Sequence, residues 1–391
     1  MALENKFNPS VVYIPLTDSK AKLASVKAEV GSEVKVGTLV AEKYYGKEKT
    51  PVFSSVSGKV TAVENRTDVD GNEVRHLVIT NDGKYTRDDS VKPLAEGESL
   101  KDKLNSLGIK NLDNTGIYTG LHYDDVKAIY VDAIYPNEPA VRPSYDVLNE
   151  RAEKVVAATS RYAAELEVPA YIVVSKNVPA SVLANLNAEA AKTNNVKVLV
   201  QKPAAGWQYK LVKKAHNIEL GVNAYRGIVV VSISTMAAVA DAIVEGLPCV
   251  EKGVTLCSDI CGSGFVVCPV GTPITDLINV EERVVVTSGG LLNGKTIVST
   301  STVISDSVYS LNVVRPLCEG GDDCVRCGLC NDVCPVGILP SEIIFADNLK
   351  DEDKLKQLHL DRCIECGKCS FVCPTRVNVL ERVRRAKRRL Q

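Results

Sequence analysis

Aromatic side chains are few: five Phe and one Trp in 391 residues leave little on which nucleobases could stack. Neither sign of charge is in excess, since 47 Lys and Arg meet 48 Asp and Glu. No global field therefore draws the chain to nucleic acid. No run approaches the ~18 consecutive apolar residues that a membrane-spanning helix needs. The opening "MALENKFNPS" lacks the apolar core of an export signal. A soluble or peripheral chain on the reducing, cytoplasmic side of a membrane is expected. Histidine is scarce, and His76, His122, His216 and His359 form no H-E-x-x-H or triad pattern. "CGSGF" and "TSGGLLNG" match neither G-x-G-x-x-G after a strand nor G-x4-G-K-[ST]. Cysteine is absent before Cys249, and this is the informative absence, because eight of the thirteen fall between Cys324 and Cys373. A disulfide framework would spread through a small secreted domain, whereas this clustering points to metal.

The length allows two to four domains. Residues 1–85 read as all-β: "SVKAEVGSEVKVGTLVAEKY" and "PVFSSVSGKVTAVE" alternate apolar and polar residues, and "EVRHLVIT" follows an Asp70-Gly71 turn. The mutually similar "VGSEVKVG" and "VSGKVTAV" give the pseudo-repeat of a barrel-sandwich hybrid, as in lipoyl and biotinyl carriers. Carriers present a modified Lys within Met-Lys-Met, but here the tip region reads "AEKYYGKEKTP". Lys43, Lys47 and Lys49 are therefore read as solvated surface charges. Residues 86–124 read as a charged linker with a short helix. In 125–248, the strand runs "AIYVDAI", "PAYIVV", "VKVLVQ" and "GIVVVSI" alternate with helical stretches near 142–165, 178–192, 207–216 and 234–246. That alternation predicts a parallel α/β sheet covered on both faces. Residues 249–314 return to β, with "TPITDLI" as a Thr-capped helical turn, and fit a small β-grasp (SLBB-like) module. Residues 315–391 carry the cysteine phrases, joined by helical "PSEIIFADNLKDEDKLKQLHL".

The first phrase is C-x2-C-x2-C-x3-C-P, at Cys324, Cys327, Cys330, Cys334 and Pro335. The second repeats it at Cys363, Cys366, Cys369, Cys373 and Pro374. This is the bacterial ferredoxin run. Thiolates two residues apart let one tight loop cover three corners of an iron–sulfur cube, and Gly328 and Gly367 leave backbone N–H groups free to face sulfide. Structural zinc instead uses separated Cys pairs and needs neither the third Cys nor the trailing Pro. Two [4Fe–4S] clusters are expected. In two-cluster ferredoxins the fourth Cys of each run ligates the other cluster. One cube would thus be held by Cys324, Cys327, Cys330 and Cys373, and the second by Cys334, Cys363, Cys366 and Cys369. Arg326, Glu365 and Lys368 lie within the loops, where charge tunes reduction potential.

Cys249, Cys257, Cys261, Cys268 and Cys318 stand apart from these runs. Buried small hydrophobes are the simplest reading, since no His, Lys or Arg lies beside them in the favourable way that activates a thiol. A Cys257–Cys261 dithiol or a third metal is the alternative. The tail "ERVRRAKRRLQ" packs six cations between Arg382 and Arg389. It reads as a solvated helix, or as a surface for anionic lipid or an acidic partner.

The order of these modules resembles the RnfC family, the C subunits of the Rnf electron-transport complex. The resemblance rests on "PVFSSVSGKVTAVE", "NEPAVRPSYDVL", "GIVVVSISTMAAVADAIVEGLPCVEKGVTL", "VGTPITDLI", "SGGLLNG" and the two cysteine phrases. It implies a peripheral iron–sulfur subunit of a complex that couples electron flow between ferredoxin and NADH to ion movement. It also implies a central domain similar to the NADH- and FMN-binding subunit of respiratory complex I. There a G-G-x-G-F-P-T loop cradles the phosphates. The corresponding "LDNTGIYTGLHYDDVK" keeps Gly116 and Gly120 but lacks the glycine run, and the acidic phrase survives as "PNEP" with Glu138. Longer side chains then stand where phosphate would approach. That departure counts against FMN and NADH, and no residue is assigned to either. Two other readings remain: an NADH-oxidising flavoprotein with a diverged loop, and a soluble electron-transfer protein feeding a cytoplasmic reductase.

Overall fold

The computed structural model describes residues 6–18, 21–45, 48–109, 126–134, 143–202, 211, 214–216, 228–258, 260, 262–278, 284–315, 321 and 323–390. The expectations at Lys47, Gly116, Gly120, His122, Glu138, Cys261 and Cys318 fall outside these residues.

Alternating strands at the N-terminus close around one apolar interior. They are β1 (Val11–Pro15), β2 (Leu23–Val26), β3 (Glu33–Val34), β4 (Leu39–Tyr45), β5 (Glu48–Phe53), β6 (Gly58–Thr67) and β7 (Glu73–Asn81). They form one sheet in the order β1-β7-β6-β3 and another in the order β2-β4-β5. Val12, Ile14, Val34, Val40, Val60, Leu77 and Ile79 fill the space between, as the two-residue period requires. The two similar phrases meet each other, with Glu33 opposite Lys59 and Val34 opposite Gly58. At the β6–β7 turn Gly71 adopts φ +82°, and Asp68 Oδ1 accepts from the N–H groups of Asp70 and Asn72.

The second sheet contains β8 (Ala128–Ala133), β9 (Ala170–Ser175), β10 (Val196–Gln201) and β11 (Ile228–Ser232). Its order is β10-β9-β8-β11 with every pair parallel. Alternate side chains face opposite ways. Ile129, Val131, Ile172, Val174, Val229 and Val231 pack on α1 (Leu100–Ser106), α2 (Pro143–Glu165), α3 (Ala180–Ala190) and α4 (Ile233–Glu245). Tyr130, Val173, Ile228 and Val230 face the other side with Leu211. The stretch read as linker thus enters this core through the fully buried Leu100 and Leu104. The helix α4 starts where Ser232 Oγ accepts from Thr235 N at 3.1 Å. It stops at Gly246, whose φ of +69° and contact with the Lys92 carbonyl, 1.9 Å from where a Cβ would stand, leave room only for glycine.

A third sheet holds β12 (Glu251–Ser258), β13 (Gly264–Pro269), β14 (Val285–Ser288), β15 (Lys295–Thr296) and β16 (Ser310–Val314), in the order β13-β12-β16-β14-β15. The central pair β12–β16 is parallel and the others are antiparallel. The expected Thr cap is not formed here. The helix α5 (Ile274–Leu277) follows Pro273 without a side-chain cap, because Thr272 Oγ1 donates instead to Pro269 O at 2.6 Å. This sheet is fastened to the N-terminal strands. Ser55 Oγ donates to Val270 O at 2.6 Å, Tyr13 N to Gly271 O at 2.9 Å, and Arg66 Nε to Ser301 O at 2.7 Å.

The C-terminal part is helical: α6 (Leu329–Asp332), α7 (Pro340–Asn348), α8 (Glu352–Gln357), a 3-10 turn at Leu360–Arg362, α9 (Lys368–Phe371) and α10 (Val379–Leu390). Ile343, Leu355, Leu360, Val377, Val379, Val383 and Ala386 form its core. The stripe Val379, Val383, Ala386 and Leu390 on α10 has helical spacing and packs there.

A paired-cysteine candidate metal centre

Both cysteine phrases fold alike. In the first, Arg326, Gly328 and Gly337 take left-handed φ of +54°, +81° and +69°. In the second, Glu365, Gly367 and Arg376 take +52°, +76° and +57° at the matching places. Each phrase then enters a single helical turn, α6 or α9, directly after its glycine. Non-glycine residues in this region are strained by about 1–3 kcal/mol each and gather at functional loops. The loop turns tightly enough to bring cysteines two residues apart onto one side.

The second loop frames a small, partly open cavity. Its walls include Cys363, Cys366 and Cys369, and also Cys334 from the first phrase. Apolar Val336, Ile338, Leu380 and Val383 close the remainder. Burial pushes the Cys363 thiol up to about 11 and the Cys369 thiol up to about 12. Cys366 is raised by burial and then by the charge of Cys334, so these sulfurs share one space. Cys330 is likewise raised by burial and by Cys324 and Cys327. Thiols so crowded and desolvated keep their protons unless a soft cationic centre replaces them. The donor set therefore fits iron–sulfur. Among the described residues, no three His, Cys, Asp or Glu converge as they would on a single ion.

The turn after Cys373 is tied to the segment before the first phrase. Thr375 Oγ1 lies 3.5 Å from the Cys373 sulfur and donates to Asp323 O at 3.1 Å. Gly321 N donates to Arg376 O at 3.2 Å, which ties the turn after Cys373 to the segment before Cys324. Burial works against a Cys373 thiolate, but hydrogen bonds from Thr375 and the N–H groups of Val377, Thr375 and Arg376 outweigh it and hold this thiol below its ordinary value.

The charged loop residues have separate fates. Glu365 Oε1 accepts from Lys387 Nζ at 2.9 Å and Oε2 from Arg384 Nε at 2.9 Å. Although burial disfavours its charge, these two cations hold Glu365 below the usual carboxylate range. Lys387 Nζ also donates to Cys363 O at 2.7 Å. Arg326 instead lies over the Phe345 ring, 4.2 Å from its centroid. The tail is a latch more than a solvated helix. Arg385 Nε donates to the buried Asp347 Oδ2 at 2.8 Å, Arg389 Nη1 lies 2.8 Å from Oδ1, and Arg388 pairs with Glu381 at 2.6 Å.

Outside the phrases, Cys257 and Cys268 are buried in the third sheet. Burial pushes Cys249 and Cys268 up to about 12, so both behave as inert hydrophobes. Lys43 and Lys49 lie in strands β4 and β5. Lys43 faces Asp18 at 3.7 Å, which makes it an anchored strand residue rather than the fully solvated charge expected. Sequence reasoning missed residues 289–294. Their Leu292 carbonyl would lie 2.0 Å from a Cβ on Gly367, and Asn293 O accepts from Arg384 Nη2 at 2.7 Å. The stretch "TSGGLLNG" was visible as part of the family resemblance and as glycines matching no phosphate-binding motif, but not as a contact to the second cysteine loop.

Comparison with known proteins agrees with this geometry. Residues 1–84 match the RnfC barrel sandwich hybrid domain, and residues 323–377 match the 4Fe-4S dicluster domain. The C subunit of the Na(+)-translocating ferredoxin:NAD(+) oxidoreductase complex of Acetobacterium woodii is 27% identical over 363 residues, 86% of this chain and 81% of that one. The C subunit of the ion-translocating oxidoreductase complex of Yersinia enterocolitica is 25% identical over 90% of this chain and 54% of its own length. The Vibrio cholerae protein of the same name is 24% identical over 90% and 48%. The chain thus spans about half the length of these two relatives. Among solved structures, the NAD+-reducing [NiFe]-hydrogenase in its H2-reduced state overlays 74% of this chain and 60% of its own, at 13% identity and a TM-score of 0.48. Barrel, dicluster domain and the relatives' extent together make this chain similar to the RnfC family over most of its length.

Proposed function

We propose that this chain is the iron–sulfur electron-transfer subunit of a membrane-associated, ion-translocating oxidoreductase complex linked to ferredoxin and NAD. Cys324, Cys327, Cys330 and Cys373 would hold one [4Fe–4S] cluster, and Cys334, Cys363, Cys366 and Cys369 the other. Bound there, the pair supplies one-electron exchange over a potential range that the protein sets. The observation that carries this reading is Cys334 on the same cavity wall as Cys363, Cys366 and Cys369. The chain's own part is to offer the sulfurs, line the cavity with apolar Val383 and Leu380, and fix Glu365 between two cations beside it.

The third sheet is read as a β-grasp, SLBB-like module. Counted within it, its strands run 2-1-5-3-4 with a parallel central pair. Peripheral attachment at the cytoplasmic face fits the finding that no described helix is long and apolar enough to cross a membrane. Neighbouring subunits and a ferredoxin-like carrier are the proposed partners. Docking on anionic lipid through the tail is less favoured, because Arg384, Arg385, Lys387, Arg388 and Arg389 have partners within the domain.

One observation favours the flavoprotein reading. Sheet order β10-β9-β8-β11 reverses between β8 and β11, the kind of switch point where nucleotides bind. Anaerobic reconstitution followed by NADH separates the two readings. Electron transfer without NADH chemistry predicts no stoichiometric flavin and bleaching by dithionite alone. Co-purifying flavin with bleaching by NADH would overturn it.

A further inference from the structure

The two cysteine loops share a backbone but not an environment. Over the second, the Leu292 carbonyl fits against Gly367, and α10 reaches around through Arg384 to Asn293. Over the first, no atom of the described residues lies within 4 Å of a Cβ placed on Gly328. In the same phrase Val325 and Leu329 are exposed by 61% and 44%, and Phe345, on which Arg326 rests, by 42%, with Cys324 and Cys327 exposed as well. Large apolar side chains around exposed metal-ligating sulfurs mark a surface that another protein covers. Charge specifies that protein further. Glu365 is neutralised by Lys387 and Arg384, whereas its counterpart Arg326 forms no ion pair among the described residues and rests on Phe345. Asp332 within the phrase and Asp323 just before it are both exposed, so Arg326 is the group here with which a partner's carboxylate would pair.

Resting on the function proposed above, we propose that a redox subunit of the same assembly docks on residues 324–329. It inserts a loop whose backbone carbonyl approaches Gly328 as Leu292 approaches Gly367, and it pairs a carboxylate with Arg326. The second loop is the internal precedent at its glycine, met there by this chain's own Leu292 with Asn293 beside it, while its Phe371 stays 73% exposed. The first is the same socket, left for a neighbour.

The test compares hydrogen exchange of the cluster-loaded chain alone and in the complex purified with its native subunits. Amides of 324–331 should exchange about tenfold more slowly in the complex. Two variants borrow residues from the other loop, whose backbone already accepts them: Arg326→Glu takes the residue at 365, and Leu329→Lys the residue at 368. Both should retain iron, and Arg326→Glu should weaken retention in the complex by about thirtyfold or more, as loss of a buried interfacial charge pair does. Equal exchange in the free and assembled chain overturns the proposal, as does normal retention of both variants. Protection produced only by adding soluble ferredoxin to the isolated chain also overturns it, by naming a different occupant. A chain that binds no iron defeats the underlying function as well, so the two failures are distinguishable.

Discussion

Gly367 and Gly328 occupy the same place in two loops, and substituting each with Ala isolates what the 289–294 segment contributes. Both adopt left-handed φ, +76° and +81°, so each alanine introduces backbone strain of about 1–2 kcal/mol. Only at Gly367 does the new methyl meet structure. It would stand 2.0 Å from the Leu292 oxygen and 2.6 Å from its carbon, so the carbonyl must retreat by about 1.4 Å to reach ordinary contact. Overpacking of that kind costs about 1–3 kcal/mol. Gly367→Ala should therefore destabilise the C-terminal unit by about 2–5 kcal/mol, against about 1–2 for Gly328→Ala. The assay is anaerobic thermal melting of the iron-loaded chain, followed by loss of visible absorbance at one scan rate. For a unit of this size each kcal/mol moves the midpoint by about 4–8 °C. Equal shifts for the two variants, or a larger one for Gly328→Ala, would refute the docking of Leu292 on the second loop.

Exchanged ligands predict that Cys334→Ser perturbs the electron paramagnetic resonance signal of the centre bounded by Cys363, Cys366 and Cys369, whereas Cys373→Ser perturbs the other; the reverse pattern would mean that each phrase binds alone. Asp347→Asn should cost about 2–4 kcal/mol, somewhat under the figure for a fully buried pair because Arg385 is half exposed, and urea titration would show α10 released first. Burial holds His76 at about 4 instead of 6.5, so the unfolded chain takes its proton first. The corresponding stability is complete above pH 6.5 and is lost as pH falls toward 4, at most about 3 kcal/mol in all. The slope should vanish in His76→Asn, measured by denaturation across that window.

Much of this fold was legible because its signals are local. Period-two strands gave β1–β7, and four apolar runs separated by amphipathic stretches gave a parallel sheet whose helices α2, α3 and α4 lie where expected. The cysteine spacing carried the site, because a loop that must cover a cube has little freedom. What escaped is long-range. Gly328 and Gly367 sit in equivalent phrases, and nothing nearby in sequence says that only the second meets Leu292, 75 positions upstream. The basic tail was legible as charge but not as a latch, since Asp347 and Glu365 lie on other elements. Leu100 and Leu104 were hidden in a charged stretch, with too few apolar residues to announce a core helix.

Iron and acid-labile sulfide, measured together on the anaerobically reconstituted chain, test the central claim most directly. Two crossed [4Fe–4S] sites predict about eight of each per polypeptide. Zinc in place of iron, or about four irons, would contradict it.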